Sequence, residues 1–211
     1  MYIQPETLRL YAVTDRARAA DEDDFFRQIE AAIRGGAAIV QLREKRLEGD
    51  ALLALARRFT ELCRRMGAVS IINDRPDIAL AAGADGVHVG QRDLAAGRAR
   101  ALLGPGKILG VSAHSPEEAL RAQAAGADYL GVGAAFVTGS KTDARPIPRE
   151  TIRAVTAAVD IPAVAIGGVN LENILELEGL GLAGVAVISG IFGQEDPEEA
   201  ARKLKALAGR L

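Results

Sequence analysis

The sequence predicts an α/β protein, a (β/α)₈ TIM barrel that occupies residues 1–211 as a single domain, and a repeated pattern is the main reason. Four segments place glycine and other small residues directly before a short, apolar, β-branched run. This pattern is typical of a helix end that leads into a buried strand, with glycine as the helix C-cap. The segments are Gly35–Arg43, Gly83–Gly90, Gly126–Gly133 and Gly181–Ser189.

Four more apolar runs, bounded by turn residues, fit between these segments and bring the number of predicted strands to eight. They are Leu8–Thr14, Ser70–Asn73, Ile108–Ser112 and Ala163–Ile166. Eight units in 211 residues have about 26 residues each, close to the lower limit of ~200 residues for this barrel. The alternative, a doubly wound open sheet, normally has five or six strands and leaves two of these runs unexplained.

Helix signals separate the predicted strands. In the first helix Phe25, Ile29 and Ile33 recur every four positions, which marks a face toward the core. Two later segments each combine an N-cap residue, a first-turn proline and two acidic residues near the positive end of a helix. These helix starts are Ser115–Glu118 and Asp196–Glu199.

Composition and charge exclude several classes of protein. With 26 Lys and Arg against 28 Asp and Glu, the chain has no basic field for nucleic acid or an anionic membrane. The longest run without a formal charge, residues 179–194, is shorter than the ~20 residues of a membrane helix and contains five glycines. Met1–Glu6 lacks the features of a signal peptide, and Cys63 has no intrachain partner. We therefore expect a soluble, cytoplasmic protein, and the sequence leaves open whether it forms a homo-oligomer.

The active site of such a barrel lies where the strands end, and two glycine pairs stand there. Gly167–Gly168 follows the seventh predicted strand and Ser189–Gly190 follows the eighth. Backbone N–H groups at these two positions commonly bind a phosphate in this fold. The plainer interpretation is that the glycines only permit tight turns.

Charged residues follow the second, third, fourth and sixth predicted strands. Asp74 and Asp93 come from neighbouring strands and offer the oxygen ligands that Mg²⁺ prefers, although a salt bridge with the adjacent Arg75 or Arg92 explains them equally well. Three cations add positive charge to the same opening and favour a diphosphate. They are Arg43, Lys45 and Lys141. Taken singly, each is more simply interpreted as a solvated surface charge.

The two histidines have no place in a recognised catalytic motif. His88 and His114 are candidate acid–base groups because an unperturbed imidazole titrates near neutrality. The plainer alternatives are a hydrogen-bonded residue inside the barrel for His88 and a loop role for His114. The chain contains no His/Cys zinc cluster, no GxSxG motif and no P-loop.

Six segments together resemble the thiamine-phosphate synthase family. The resemblance runs in order from about Leu8 to Phe192. The segments are Leu10–Asp15, Val40–Lys45, Ile72–Arg75, Gly86–Asp93, Gly131–Lys141 and Ala165–Gly168. The resemblance implies a Mg²⁺-dependent transferase with two small-molecule substrates, 4-amino-2-methyl-5-hydroxymethylpyrimidine diphosphate and 4-methyl-5-(2-hydroxyethyl)thiazole phosphate. The products it implies are thiamine phosphate and pyrophosphate.

Matching motifs also imply a role for each site residue. Asp74 and Asp93 would bind Mg²⁺, and Gln41 would face the aminopyrimidine. Arg43, Lys45, Asn73 and Lys141 would hold the diphosphate, and Ser112 would donate to the departing pyrophosphate. The residues implied around the thiazole phosphate are Thr138, Ser140, Gly168, Ile188 and Ser189. The implied catalytic residues are Arg43, Lys45, Ser112 and Lys141.

One segment departs from the family pattern. Gly133–Lys141 lacks both prolines of the usual Gly-Pro-x-Phe-Pro-Thr-x-Thr-Lys loop and has Ser140 in place of threonine, which predicts a more flexible loop. We expect the loop Ala134–Arg145 to close over the bound substrates through Lys141, with Arg145 contributing little. Two alternatives remain: a related thiazole tautomerase, and a non-catalytic module that binds thiazole or thiamine phosphate for regulation.

Overall fold

A computed structural model describes residues 3–139 and 145–211, and its strands form a closed barrel. Each strand pairs in parallel with its neighbours in chain order, and β1 also pairs with β8. The strands are β1 Leu10–Val13, β2 Ile39–Leu42, β3 Val69–Asn73, β4 Gly86–Val89, β5 Ile108–Ala113, β6 Tyr129–Gly133, β7 Ala163–Ile166 and β8 Gly184–Val187. The predicted barrel and its eight strands are confirmed, and the open sheet is wrong.

Alternation along each strand divides the apolar side chains between two cores. In β1, Leu10 and Ala12 pack against the surrounding helices, while Tyr11 and Val13 point into the barrel. Both sets are buried, which explains why the strands are almost continuous apolar runs.

Eight α-helices are present in the described residues. They are α1 Glu22–Arg34, α2 Gly49–Met66, α3 Pro76–Ala82, α4 Ala96–Leu103, α5 Pro116–Ala124, α6 Arg149–Ala158, α7 Ser189–Phe192 and α8 Pro197–Ala208. The predicted caps are confirmed, because the Ser115 side chain accepts a hydrogen bond from the Glu118 N–H and Asp196 accepts from the N–H groups of Glu198 and Glu199. None of the helices in the described ranges has the length and apolar character to traverse a bilayer.

The seventh unit departs from the repeat that the sequence predicts. Between β7 and β8 the chain forms only a short 3₁₀ helix, Ile174–Leu177. Gly179 and Gly181 follow it in the left-handed region, with φ of 76° and 75°, and turn the chain directly toward β8. The additional helix α7 follows β8 instead.

Two aspartates at the amino ends of the strands each accept two hydrogen bonds from neighbouring elements. The Asp85 carboxylate accepts from the Ser70 N–H at 2.8 Å and the Ser70 hydroxyl at 2.7 Å. The Asp128 carboxylate accepts from the Leu109 N–H at 2.8 Å and from Arg100 at 2.5 Å. The Gly-Ala-Asp repeats therefore tie β4 to β3 and β6 to β5 at the closed end of the barrel.

The lone cysteine lies in the outer core. Cys63 on α2 is buried, and burial raises the pKa of its thiol to about 12. A thiol that is buried and protonated packs as a small apolar side chain.

Candidate active site

A cavity of about 500 Å³ opens at the carboxyl ends of the strands, where the fold predicts the active site. Most of the residues singled out from the sequence line it. They are Gln41, Arg43, Lys45, Asn73, Asp74, Asp93, Ser112, Thr138 and Ile188. Gly168 and Ser189 are not among the lining residues, but their neighbours Gly167 and Ile188 are. Ser140 and Lys141, with the rest of 140–144, lie outside the described residues.

The two predicted metal ligands meet on one wall of the cavity. Burial raises the pKa of Asp74 to about 6, and a hydrogen bond with Asp93 and its negative charge add to the rise. Lys45 acts in the opposite direction through its positive charge. The two carboxylates thus lie close together and repel each other when both are ionised. A bound cation would relieve that repulsion.

Local geometry holds both carboxylates in place. Asp74 has a φ of 62°, a left-handed conformation that aspartate tolerates better than most residues, and its N–H donates to the His88 carbonyl at 2.8 Å. Asn73 donates its side-chain N–H to Asp74 at 2.5 Å. In the loop after β4, Asp93 accepts from the Gly90 N–H at 2.8 Å. The salt-bridge alternative is wrong for Arg75, which pairs with Asp77 at 2.5 Å.

The loop after β2 presents two cations because the acidic residue between them turns inward. The Glu44 carboxylate is 4% exposed, lies 3.5 Å from Arg16 and accepts from the Arg46 N–H at 2.6 Å. The preceding Arg43 N–H donates to the buried hydroxyl of Thr14 at 3.0 Å. With the loop fixed at these points, the side chains of Arg43 and Lys45 both reach the cavity wall.

A row of polar side chains crosses the barrel just beneath the cavity floor. Gln41 donates to the Tyr11 hydroxyl at 2.6 Å, and that hydroxyl lies 2.9 Å from the hydroxyl of Tyr129. Tyr129 is 3.0 Å from His88 Nδ1, and His88 Nε2 is 3.0 Å from Ser112 Oγ. His88 is therefore a hydrogen-bonded residue of the barrel interior, which is the plainer of the two interpretations that the sequence left open.

Sequence reasoning missed both tyrosines and Gln91. Tyr11 and Tyr129 stand inside apolar runs, where an aromatic side chain attracts no attention, although strand alternation places Tyr11 on the inward face with Val13. Gln91 follows β4 and donates its side-chain N–H to the Ser112 carbonyl at 2.6 Å. The sequence did contain a signal for Gln91, because the polar segment Gly90–Asp93 directly follows the end of β4.

His114 lies at the edge of the cavity in a loop. Its imidazole Nδ1 is 2.9 Å from the Glu118 carboxylate, which also accepts from the His114 N–H at 2.8 Å. The side chain is 45% exposed. These contacts agree with the loop role and fix the start of α5.

The loop after β7 packs closely against the segments that follow β6 and β8. A Cβ at Gly167 would lie 2.6 Å from the Ala134 Cβ, and one at Gly190 would lie 2.8 Å from the Val169 carbonyl. Gly167 and Gly168 also have positive φ, at 98° and 71°, so glycine is required for the turn itself. Ser189 and Gly190 begin α7, whose first N–H groups have no partner within the helix. The turn interpretation and phosphate binding are therefore compatible.

Arg145 is among the residues that line the cavity. That it contributes little to catalysis stays a prediction. Two residues further on, the Ile147 N–H donates to the Ala134 carbonyl at 2.9 Å, which joins the end of this segment to the end of β6.

Comparisons with known proteins agree with the resemblance. The family model described as thiamine monophosphate synthase matches residues 10–191. A thiamine-phosphate synthase of Moorella thermoacetica is 52% identical over 183 residues, which cover 86% of this chain and 87% of that protein. One of Alkaliphilus oremlandii is 48% identical over 197 residues, covering 93% and 94%. The solved structure of a thiamine phosphate pyrophosphorylase from Pyrococcus furiosus matches with a TM-score of 0.88 and 38% identity, over 97% of both chains.

Proposed function

The chain belongs to the thiamine monophosphate synthase family, and on that premise we propose how its barrel mouth performs the reaction. The enzyme is a transferase, a thiamine-phosphate synthase. It joins the pyrimidine diphosphate to the thiazole phosphate, with thiamine phosphate and pyrophosphate as products. We assign the diphosphate to the wall formed by β2, β3 and β4, and the thiazole phosphate to the loops after β7 and β8.

The convergence of Asp74 and Asp93 beside Lys45 is the observation that carries this assignment. A thiazole tautomerase, or a module that only binds a phosphorylated thiazole, needs the glycine loops but has no use for paired carboxylates and cations on the opposite wall. A substrate with a diphosphate needs both. The synthase therefore accounts for more of this cavity than either alternative.

The donor set of the carboxylate wall fits Mg²⁺. Mg²⁺ is usually held by one or two carboxylates and completes its shell with water and substrate phosphates. Asp74 and Asp93 supply two such groups, and the described residues contain no cluster of three or more His, Cys, Asp or Glu for an all-protein site. When bound, the ion offsets negative charge on the diphosphate as pyrophosphate departs.

The residues of the chain stabilise the departing group directly. We propose that the bond between the pyrimidine methylene carbon and the diphosphate oxygen breaks first, with electron donation from the aminopyrimidine. Arg43, Lys45 and Asn73 bind the diphosphate oxygens, and the Ser112 hydroxyl donates to the leaving group. These contacts strengthen as charge accumulates on pyrophosphate, so they favour the transition state over the bound substrate.

The other substrate needs orientation more than activation. The thiazole nitrogen is already nucleophilic, so no strong general base is required for it to attack the pyrimidine carbon. Gly168, Ile188, Ser189 and Thr138 surround the thiazole phosphate in this proposal, mainly through N–H and hydroxyl groups. Ser140 and Lys141 belong to the same proposal from the family motif, and they lie outside the described residues.

The proposal treats residues 1–211 as one catalytic domain that acts in the cytoplasm on small-molecule substrates. Its support is that the strands and helices run from β1 to α8, Pro197–Ala208, with one barrel and one mouth in the described residues.

A pyrophosphate-release assay with both substrates and Mg²⁺ tests the function. We expect pyrophosphate and thiamine phosphate to form in equal amounts, and neither to form without the thiazole phosphate. Protein that binds the thiazole phosphate in calorimetry yet releases no pyrophosphate would instead be the binding module. Formation of a thiazole isomer alone would identify the tautomerase.

A further inference from the structure

The polar row connects Gln41 to Ser112 through Tyr11, Tyr129 and His88. Gln41 and Ser112 stand at opposite ends of the row, and both line the cavity, as His88 does. The two tyrosines between them are buried, with Tyr11 1% exposed and Tyr129 0% exposed. The five residues come from β2, β1, β6, β4 and β5, so the row spans the width of the barrel.

Neighbouring glycines make the space that this row occupies. A Cβ at Gly110 would lie 2.2 Å from the Tyr129 ring and 2.5 Å from His88 Nδ1. A Cβ at Gly131 would lie 3.0 Å from His88 Cε1. Both strands therefore give up an inward side chain at this level, and two large polar rings fill the space that apolar side chains occupy in other layers.

Counting protons gives the row a direction. The Gln41 amide nitrogen donates to Tyr11, so the single proton of the Tyr11 hydroxyl is available for Tyr129. For a neutral imidazole, it follows that Tyr129 donates to His88 Nδ1 at 3.0 Å and that His88 donates from Nε2 to Ser112 Oγ at 3.0 Å. If the bond between the tyrosines ran the other way, the Tyr11 proton would be buried without an acceptor, which is unfavourable. Burial raises the pKa of both phenols, so each keeps its proton.

The direction determines what each end offers to a ligand. At one end, the Gln41 carbonyl oxygen and its second N–H hydrogen remain for the cavity. At the other end, Ser112 Oγ accepts from His88, so its own proton is the one that points away from the row. The Ser112 main chain is held separately by Gln91, so the row controls the hydroxyl and not the backbone.

We propose that Tyr11, Tyr129 and His88 are positioning residues that orient the Gln41 amide toward the aminopyrimidine and the Ser112 proton toward the diphosphate of the same substrate. This proposal rests on the assigned reaction for its substrate, although the orientation itself is a property of the free protein. A pre-set donor needs no reorganisation when charge develops on the leaving group, which is where such a donor is most effective.

The first test measures the histidine tautomer in the absence of substrates. The sequence contains two histidines, so ¹⁵N-histidine labelling gives few signals, and a His114→Gln variant assigns them. We expect His88 to be neutral with its proton on Nε2, and we expect Tyr129→Phe to convert it to a mixture of tautomers. A wild-type His88 with its proton on Nδ1 reverses the row and overturns the proposal, whether or not the protein is a synthase.

The second test is kinetic and separates positioning from general structural damage. Tyr129→Phe keeps the ring and removes one hydroxyl, and we expect it to lower kcat by about 10-fold, less than the ~10² of deleting a donor outright. In a Ser112→Ala background the same change is expected to have an effect of less than about 2-fold, because it acts through Ser112. Losses that multiply in the double variant contradict the proposal.

The Tyr11→Phe variant tests the other end of the row. Without the Tyr11 acceptor the Gln41 amide can rotate, so we expect KM for the pyrimidine diphosphate to rise about 5-fold while KM for the thiazole phosphate stays within about 2-fold. Equal rises for both substrates would show a general distortion of the barrel and overturn the proposal. The tautomer measurement on wild-type protein decides the matter if either variant fails to fold.

Discussion

The two ends of the barrel use aspartate in opposite ways. At the closed end, Asp85 and Asp128 each accept two hydrogen bonds from the protein, and Arg100 supplies a positive charge beside Asp128. At the mouth, Asp74 faces Asp93, and burial together with that neighbour raises the pKa of Asp74 to about 6. The closed end pairs its aspartates with N–H and hydroxyl donors of the protein and holds the strands together, whereas the mouth brings two carboxylates close to each other.

The mouth also has cations, two of them on the loop after β2. Arg43 and Lys45 stand on either side of the inward Glu44, and Arg145 returns to the cavity from the loop after β6. At the other end, Arg100 donates to the carbonyls of Gly104 and Lys107 at 2.8 and 2.7 Å. Arg100 at the closed end therefore acts as a structural clamp, whereas the cations at the mouth line the cavity.

The largest expected effect is at the mouth, in the variant Lys45→Ala. We expect kcat to fall by about 10²–10³, the scale of losing one preorganised charge contact with the leaving group. The matched control is Arg46→Ala, a neighbouring exposed cation that does not line the cavity. Steady-state pyrophosphate release measures both variants. Similar losses in the two would mean that the loop, and not the position of the charge, is what matters.

A smaller loss of activity is expected from Asp74→Asn, which removes charge but keeps size. Asp74 shares its environment with Asp93, so we expect the Mg²⁺ concentration for half-maximal rate to rise by about 10-fold or more, the scale of a lost metal contact. Thiazole phosphate binding should change little because its site lies on other strands. Asp77→Asn, at an exposed carboxylate paired with Arg75, serves as the control. A metal dependence that stays the same in Asp74→Asn removes this residue from the ligand set.

At the closed end the same kind of change should reduce stability and spare catalysis. Asp128→Ala leaves the Leu109 N–H without its acceptor and removes the carboxylate beside Arg100, which keeps its hydrogen bonds to the Gly104 and Lys107 carbonyls. We expect the free energy of unfolding to fall by about 2–3 kcal/mol, the scale of losing charge-assisted hydrogen bonds at a partly buried site. Chemical denaturation measures this fall, and kcat of the folded fraction should stay within about 2-fold. A large loss of kcat with normal stability would break the comparison between the two ends.

The smallest effect is the pH dependence of stability without Mg²⁺. The pKa of Asp74 rises from 3.8 to about 6 on folding, so between those values the folded state binds more protons than the unfolded state. Stability contributed by this group is therefore greatest below pH 3.8 and is lost as the pH rises toward 6. We expect Asp74→Asn to reduce this loss, and added Mg²⁺ to restore stability above pH 6. Denaturation curves of both proteins across this range measure it, and identical slopes would show that Asp74 is not the group responsible.

Much of the fold was readable from local patterns in the sequence. Glycine before an apolar β-branched run located four strands, and turn residues located the other four, because both signals depend on a few neighbouring residues. The predicted caps at Ser115 and Asp196 are confirmed for the same reason. The missing helix between β7 and β8 was not foreseen, because the repeat suggests a full unit wherever a strand occurs.

Part of the candidate site was also predictable from local patterns, and part was not. Its members at strand ends, such as Arg43, Asp74 and Ser112, were found from the sequence because the fold places strand ends at one mouth. The row through Tyr11 and Tyr129 was not found from the sequence, because these residues are 118 positions apart and each resembles an ordinary core aromatic residue. Alternation along a strand determines which side chains point inward, but only the register of the closed barrel decides which of them meet. The sequence alone thus determined the order of the elements and the chemistry of the mouth, and the tertiary structure decided the partners, because hydrogen bonds across a barrel depend on distances that no local pattern contains.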